Sequence, residues 1–150
     1  MKFIKLNTTT REAKRLKLSI DEIFISGNVP SSKNSKQIAR TKTKTGTRVF
    51  IRSSNTVKNY IDCHMHEWQS FSNKKKFKKM IEGKKKPYKI AFYFIRDTKR
   101  KFDLINAAQL PLDLMQKAGW IEDDDAATVL PVFLGYEIDK ENAGLIIKVL

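Results

Sequence analysis

The sequence contains one cysteine, Cys63, among 150 residues. A lone cysteine forms no disulfide within the chain and builds no cysteine-type zinc site, and it fits a reducing compartment. His64 and His66 lie beside it, but positions one and two residues apart on a helix do not face each other. We therefore expect a buried cysteine and surface histidines rather than metal ligands at this place.

Long apolar runs are absent as well. No stretch approaches the ~20 apolar residues that cross a bilayer. The first residues, Met-Lys-Phe-Ile-Lys-Leu, lack the apolar segment of a signal peptide. The sequence therefore predicts a cytoplasmic protein with no membrane partner.

Negative charge is scarce: 16 Asp and Glu stand against 30 Lys and Arg, which gives a formal net charge of +14. Such an excess indicates a polyanionic partner, either nucleic acid or, less readily, an anionic membrane. A chain of 150 residues forms one domain with a substantial core. We divide it into a basic N-terminal extension, residues 1–20, and a folded domain, residues 21–150. The extension is either a short capped helix or a basic arm lying on phosphates.

The first half of the domain predicts a strand, a polar loop and a basic hairpin. Residues 21–27 alternate as a strand and end at Gly27-Asn28, after which Pro30 prevents a central strand from continuing. The polar loop that follows is either a phosphate contact or a plain surface turn; it carries Lys33, Asn34 and Lys36. Residues 36–52 predict a two-stranded ribbon able to hold phosphates, whose cations are Arg40, Lys42, Lys44, Arg48 and Arg52.

The second half predicts helices around one central strand. Residues 55–70 carry an apolar stripe at helical spacing, and the lysine-rich run 73–86 is either a solvated helix or a further DNA contact. Residues 87–96 are apolar on both faces, which is typical of a central strand. Pro111 favours a helix that starts near Leu110 and ends near Ala118. Residues 127–138 and 144–150 predict an antiparallel pair.

Together these elements predict a single-domain α+β fold with a mixed β-sheet, two main helices and a protruding basic β-hairpin. The chemistry concentrates in residues 99–129. There a basic triplet, Lys99, Arg100 and Lys101, leads into Asp103 and Asn106, and four adjacent acids, Glu122 to Asp125, follow the helix. Adjacent carboxylates repel one another, so a divalent cation among them would explain their presence. The alternative is an ordinary solvated turn.

This region resembles the RusA-type Holliday junction resolvases of phages and prophages. The similar segments are Phe102-Asp103-Leu104-Ile105-Asn106, Leu112-Asp113-Leu114-Met115 and Lys117-Ala118-Gly119-Trp120-Ile121-Glu122-Asp123-Asp124. The segment from Gly27 to Ser35 also resembles the family's N-terminal strand and its Pro-Ser/Lys-Asn loop. The resemblance covers about residues 22–150.

The resemblance implies a small dimeric, Mg²⁺-dependent endodeoxyribonuclease that cuts four-way DNA junctions in recombination and repair. It implies catalytic roles for Asp103 and Asp124, and metal-ligand roles for Asp103, Asn106, Asp123 and Asp124. The expected partners are a four-way DNA junction and a second copy of the chain.

Two positions depart from the family pattern. The family's second aspartate falls on Ile105, and a lysine implicated in its catalysis falls on Gln109. Two alternatives therefore stand beside the nuclease. One is a junction- or DNA-binding protein of the same fold with weakened or lost cleavage. The other is an RNA- or duplex-binding accessory protein.

Overall fold

The computed structural model describes residues 4–5, 16–31 and 36–150. Lys33, Asn34 and most of the N-terminal extension lie outside these residues. The described chain forms eight strands, three α-helices and one 3-10 helix, in the order β1 (Ile4–Lys5), β2 (Leu16–Lys17), β3 (Ile23–Ser26), β4 (Lys36–Thr43), β5 (Gly46–Ser53), α1 (Asn55–Trp68), α2 (Phe71–Ile81), β6 (Tyr88–Arg96), α3 (Leu104–Lys117), β7 (Val129–Ile138), the 3-10 helix (Lys140–Asn142) and β8 (Gly144–Val149).

A four-stranded mixed sheet in the order β3-β8-β6-β7 forms the centre of the fold. Alternate residues of its strands, such as Ile90, Phe92 and Phe94 of β6, point to one face. They pack there with residues of all three helices, including Trp68, Phe77 and Met115. The core therefore lies between this face of the sheet and the helices.

The direction of β7 sets the positions of the functional residues. β6 pairs with β8 antiparallel and with β7 parallel, so α3 crosses over the sheet and returns the chain to the end where β6 began. Residues 96–103 and 139–143 consequently lie at the end where β6 and β7 finish, which we call the basic end. Residues 83–88 and 118–128 lie where both strands start, the acidic end. Nine residues of β6 separate the two ends by roughly 26 Å.

The α+β class, the mixed sheet, the central position of β6 and the basic hairpin are confirmed. The structure adds a third, shorter helix, α2, to the two main helices of the prediction. The predicted pairing of the last two strands is wrong, since β8 inserts between β3 and β6 and β7 lies at the sheet edge. Leu145, Ile146 and Ile147 are fully buried, and a strand that is apolar on both faces needs neighbours on both sides.

The start of α3 also differs from the prediction. The helix begins at Leu104 rather than near Leu110, and Pro111 lies inside it. Asp103 caps the helix, because its Oδ1 accepts hydrogen bonds from the backbone amides of Ile105 (3.0 Å) and Asn106 (3.4 Å). The cap and the burial of the apolar helix face offset a proline cost of about 3 kcal/mol.

The Cys63 segment of α1 is arranged differently from the prediction as well. Cys63 is exposed, whereas His64 is half-buried. The His64 Nδ1 lies 3.2 Å from the Ser26 hydroxyl and 3.3 Å from a Glu67 carboxylate oxygen. The imidazole therefore connects α1 to β3 and faces inward, which turns Cys63 toward solvent.

Membrane-spanning segments were sought among the described helices. None of them combines the length and the apolar character that crossing a bilayer requires.

Candidate functional site

The basic hairpin, β4 and β5, pairs with no other described strand. Directly paired residues share a face of a ribbon, so the register divides its cations between two faces. Arg40 and Lys42 lie on one face, and Arg48 and Arg52 lie on the other; all four side chains are exposed. Lys44 is in the exposed turn, and of Lys36 only the backbone is described. The hairpin therefore presents positive charge in two opposite directions.

The basic triplet, Lys99 to Lys101, lies in an exposed loop at the basic end. The loop is fixed on its inner side by two hydrogen bonds to the segment after β3. The Arg96 guanidinium donates to the Val29 carbonyl at 2.6 Å, and the Asp97 amide donates to the Asn28 side chain at 3.3 Å. Burial lowers the pKa of Arg96, but an arginine still carries its charge at neutral pH. The three exposed cations thus extend from an anchored loop.

Asp103 and Asn106 occupy the first turn of α3 at the same end. Asp103 is exposed and Asn106 is buried, and Ile105 between them is 75% exposed. Since the chain is already helical here, Asp103 and Asn106 share a face and Ile105 points away from them. Ile105 is therefore not a core residue, and it occupies the surface where the resemblance would place a second carboxylate.

The four adjacent acids lie at the acidic end, and the side chains of three of them form an ion pair or accept a backbone hydrogen bond. Glu122 pairs with Lys86 at 2.6 Å. Asp123 accepts a hydrogen bond from the Asp124 amide at 2.8 Å, and Asp125 accepts one from the Thr128 amide at 2.9 Å. These contacts shape a turn, so for Glu122 and Asp125 the solvated-turn interpretation accounts for the side chains.

Asp124 has a different partner, Asp113 of α3. Burial raises the pKa of Asp113, and the nearby charge of Asp124 and a hydrogen bond between the two carboxyls raise it further. Two carboxyls this close share a proton or a cation more readily than they carry two charges. Gln116, one turn along the exposed side of α3, adds a contact to Asp123 at 3.5 Å. The acidic end therefore carries a carboxyl pair, Asp113 and Asp124.

The expected metal ligands are not brought together within one chain. Asp103 and Asn106 lie at the start of α3, whereas Asp123 and Asp124 follow its end, and 14 helical residues place about 20 Å between them. Within the described part of the chain, no group of three or more His, Cys, Asp or Glu residues could hold a metal ion. The basic triplet and the acidic cluster are separated as well, because a parallel crossover puts the two at opposite ends of the sheet.

The sequence analysis missed Asp113 as a functional candidate. The position of Asp113 could have indicated its role. Asp113 lies within the last turns of α3, and Gly119 reverses the chain just after the helix. An acid there and an acid after the turn are brought close by the turn itself. Gly119 has a φ of +79°, the left-handed conformation that allows this reversal.

Charge is segregated along the chain as well as in space. Residues 102–139 contain only one of the 30 Lys and Arg, Lys117, but eight of the 16 Asp and Glu. This stretch comprises α3, residues 118–128 of the acidic end, and β7. These elements therefore contribute acids and a single cation, Lys117, to the surface.

Comparison with protein-family models and with curated proteins gives no match to this chain. The resemblance to RusA-type resolvases therefore rests on the residues quoted for it.

The carboxyl pair predicts a pH-dependent effect of Asp113→Asn. A pKa raised in the folded state means that this carboxyl stabilises the fold below the ordinary Asp pKa, and that this contribution is lost as the pH rises through the raised value. We expect Asp113→Asn to be more stable relative to the parent at pH 7 than at pH 4. Because Asp113 is exposed, the relative free energy of unfolding should change by less than about 1 kcal/mol between pH 4 and pH 7.

Urea unfolding of both proteins between pH 4 and pH 8 measures this difference. The matched control is Asp62→Asn, which makes the same substitution at an exposed acid of another helix, α1. A constant difference for Asp113→Asn would show that the two carboxyls do not interact.

Proposed function

We propose that the protein is a dimeric, Mg²⁺-dependent endodeoxyribonuclease acting on four-way DNA junctions, as the RusA-type resolvases it resembles do. The observation that carries the proposal is the segregation of charge. Cations project from the hairpin and from the basic end, whereas α3 and β7 hold the acids and almost no cations. Phosphodiester cleavage needs cations that hold the DNA backbone and carboxylates that hold a metal.

The hairpin supports DNA as the polyanion. A two-stranded ribbon fits the major groove of B-form DNA, whose two walls are lined by phosphates. Arg40 and Lys42 on one face and Arg48 and Arg52 on the other would each meet one wall. Cations on a single face would suit a flat anionic surface instead, so the two-faced arrangement favours a groove.

One chain alone does not fit a magnesium site, since its candidate ligands lie at two ends of α3. Two chains related by a two-fold axis fit it better. If the axis crosses β7 and the two α3 helices run antiparallel, Asp103 and Asn106 of one protomer approach Asp123 and Asp124 of its partner. Such a site would be assembled by dimerisation.

The edge strand supports this axis. β7 pairs on one side with β6 and on the other with no described strand, and an unpaired apolar edge is a template for pairing with another chain. Exposed apolar side chains surround it; we call Leu130, Phe133 and Leu134 of β7, together with Ile105 of α3, the apolar edge. Residues 102–139, which include α3 and β7, contain a single cation, Lys117, so two copies that meet along β7 bring few cations of these elements together.

The residues have separate roles in this proposal. Asp103 and Asp124 would hold the metal, and the chemistry supplied there would be activation of water and stabilisation of charge on the phosphate. Asn106 and Asp123 would support these ligands, and Asp113 lies beside Asp124, whose charge raises the pKa of the Asp113 carboxyl. The triplet Lys99 to Lys101 positions the DNA backbone beside Asp103.

A second candidate is a junction-binding protein without cleavage. Ile105 favours it, because a hydrophobic side chain stands where the resembled family has a carboxylate. The capping role of Asp103 favours it too, because one carboxylate oxygen is already engaged with two backbone amides. This candidate keeps the DNA-binding residues and the dimer and loses only the metal.

A labelled four-way junction incubated with and without Mg²⁺ tests the function. We expect cleavage only with Mg²⁺, and a loss of about a hundredfold or more in Asp124→Asn, because a metal contributes several kcal/mol to such a transition state. Junction binding by Asp124→Asn should persist, since removing a carboxylate lessens repulsion of the phosphates. The control Asp62→Asn should cleave like the parent.

Other results would redirect the assignment. Metal-independent binding to the junction without cleavage by the parent would support the second candidate. Equal affinity for the junction and for linear duplex of the same sequence would contradict both, and would point to a duplex- or RNA-binding accessory protein.

The dimer is tested separately by Leu134→Lys. This residue is near the middle of β7, so a two-fold axis there would bring two introduced lysines together, and their repulsion should dissociate the dimer. Sedimentation velocity should give the mass of one chain for Leu134→Lys and of two chains for the parent. Ile38→Lys adds the same charge at an exposed apolar residue of the hairpin and should remain dimeric. A dimeric Leu134→Lys would place the interface elsewhere.

A further inference from the structure

A cleft at the basic end joins the triplet Lys99 to Lys101 to side chains that have no role in the proposed cleavage site. It has a volume of about 320 Å³ and lies between the loop after β6 and the end of β7. Its lining combines the three exposed cations with aromatic and aliphatic side chains: Thr98, Lys99, Arg100, Lys101, Phe102, Leu104, Tyr136 and Ile138. Tyr136 is 55% exposed, although it belongs to a strand of the central sheet. An exposed ring beside three cations is an unusual surface for a strand.

A β-bulge turns this ring into the cleft. Phe92 pairs with Phe133 and Tyr93 with Gly135, so Leu134 is the extra residue in β7. Without the bulge, Phe133 and Tyr136, three positions apart, would point to opposite faces of the sheet. With it, Tyr136 pairs with Phe94 and lies on the same face as Phe133. Gly135 makes the bulge possible, since its φ of +121° is one that other residues rarely adopt.

The ring is held in place from the core outward. Phe94 packs against Phe102 with ring centroids 6.1 Å apart, and Phe102 meets Tyr136 edge-on at 5.1 Å. The Arg96 guanidinium lies 4.3 Å from the Phe102 ring and fixes it from another side. Phe102 therefore supports the Tyr136 ring on one side, and the exposed part of the ring remains accessible to a ligand. A preorganised ring loses little entropy when a flat ligand stacks on it.

The cations of the cleft are available to a ligand. Among the described residues, Lys99, Arg100 and Lys101 have no ion-pair partner, and their loop is anchored by Arg96 and Asp97. A ligand that suits the cleft has a flat π-face for Tyr136 and negative charge for the loop. A nucleotide has both features.

We infer that this cleft binds an unpaired nucleotide of the DNA, with the base stacked on Tyr136 and the adjoining phosphates on Lys99 to Lys101. In a continuous duplex each base is stacked between its neighbours and offers no free face, so the cleft selects DNA with an unstacked base, such as a branch point. The inference rests on the proposed function for the choice of DNA. It also places the nucleotide's phosphate next to Asp103, which follows Phe102 directly.

The test uses a duplex with one unpaired nucleotide and the same duplex with an abasic residue at that place, by fluorescence anisotropy without Mg²⁺. Stacking of one base on an aromatic side chain is worth roughly 5- to 150-fold in affinity. We expect the parent to bind the DNA with the base at least about tenfold more tightly than the abasic DNA. Tyr136→Leu should remove this preference, and Tyr136→Phe, which retains the ring, should keep it.

A fully paired duplex of the same length serves as the control. Tyr136→Leu should bind it as tightly as the parent does, which also shows that the variant is folded. Equal affinity of the parent for the base-containing and abasic DNA would overturn the inference. So would a loss of affinity in Tyr136→Leu that is the same for all three DNAs. Neither result depends on cleavage, so the inference and the nuclease activity can fail independently.

Discussion

The crossover from β6 through α3 to β7 is the constraint on which the rest of the molecule depends. Two parallel strands must start at the same end of the sheet. After β6 the chain therefore has to return over the full length of that strand before β7 can begin. The residues that follow β6 therefore lie at the basic end, and the residues that precede β7 lie at the acidic end. The separation of Asp103 from Asp124 follows from this connection and not from the side chains themselves.

The crossover also explains how the charge is distributed. The basic end and the hairpin carry exposed cations, which repel one another and remain favourable only with a polyanion nearby. α3 and β7 carry acids and apolar side chains and almost no cations. One surface thus presents cations, and the other presents acids and the apolar edge. The carboxyl pair of Asp113 and Asp124 lies on the second surface, where it is kept away from the phosphates unless a partner brings them together.

Local features were predictable from the sequence because they depend on nearby residues. The alternation in β6 predicted a central strand, the polar and β-branched residues around Gly46 predicted a hairpin, and the apolar stripe of residues 55–70 predicted α1. Features that depend on distant packing were not predictable. The parallel direction of β7 follows from how α3 covers the sheet, and the early start of α3 required Asp103 to outweigh Pro111. For the candidate site, the sequence indicated residues but not their arrangement. Asp103 caps α3, Asn106 is buried, and their distance from Asp124 is set by the topology.

If each metal site is shared between two protomers, as proposed, two inactive variants should recover activity when they are mixed. Asp103→Asn keeps the helix cap, since Asn caps well, and Asp124→Asn keeps the turn. Each variant alone should be inactive. After mixing and subunit exchange, half of the dimers combine both variants, and each of these has one intact site, so about a quarter of the parent's sites return. We predict that the mixture nicks the junction in the presence of Mg²⁺. A mixture as inactive as the separate variants would contradict a shared site.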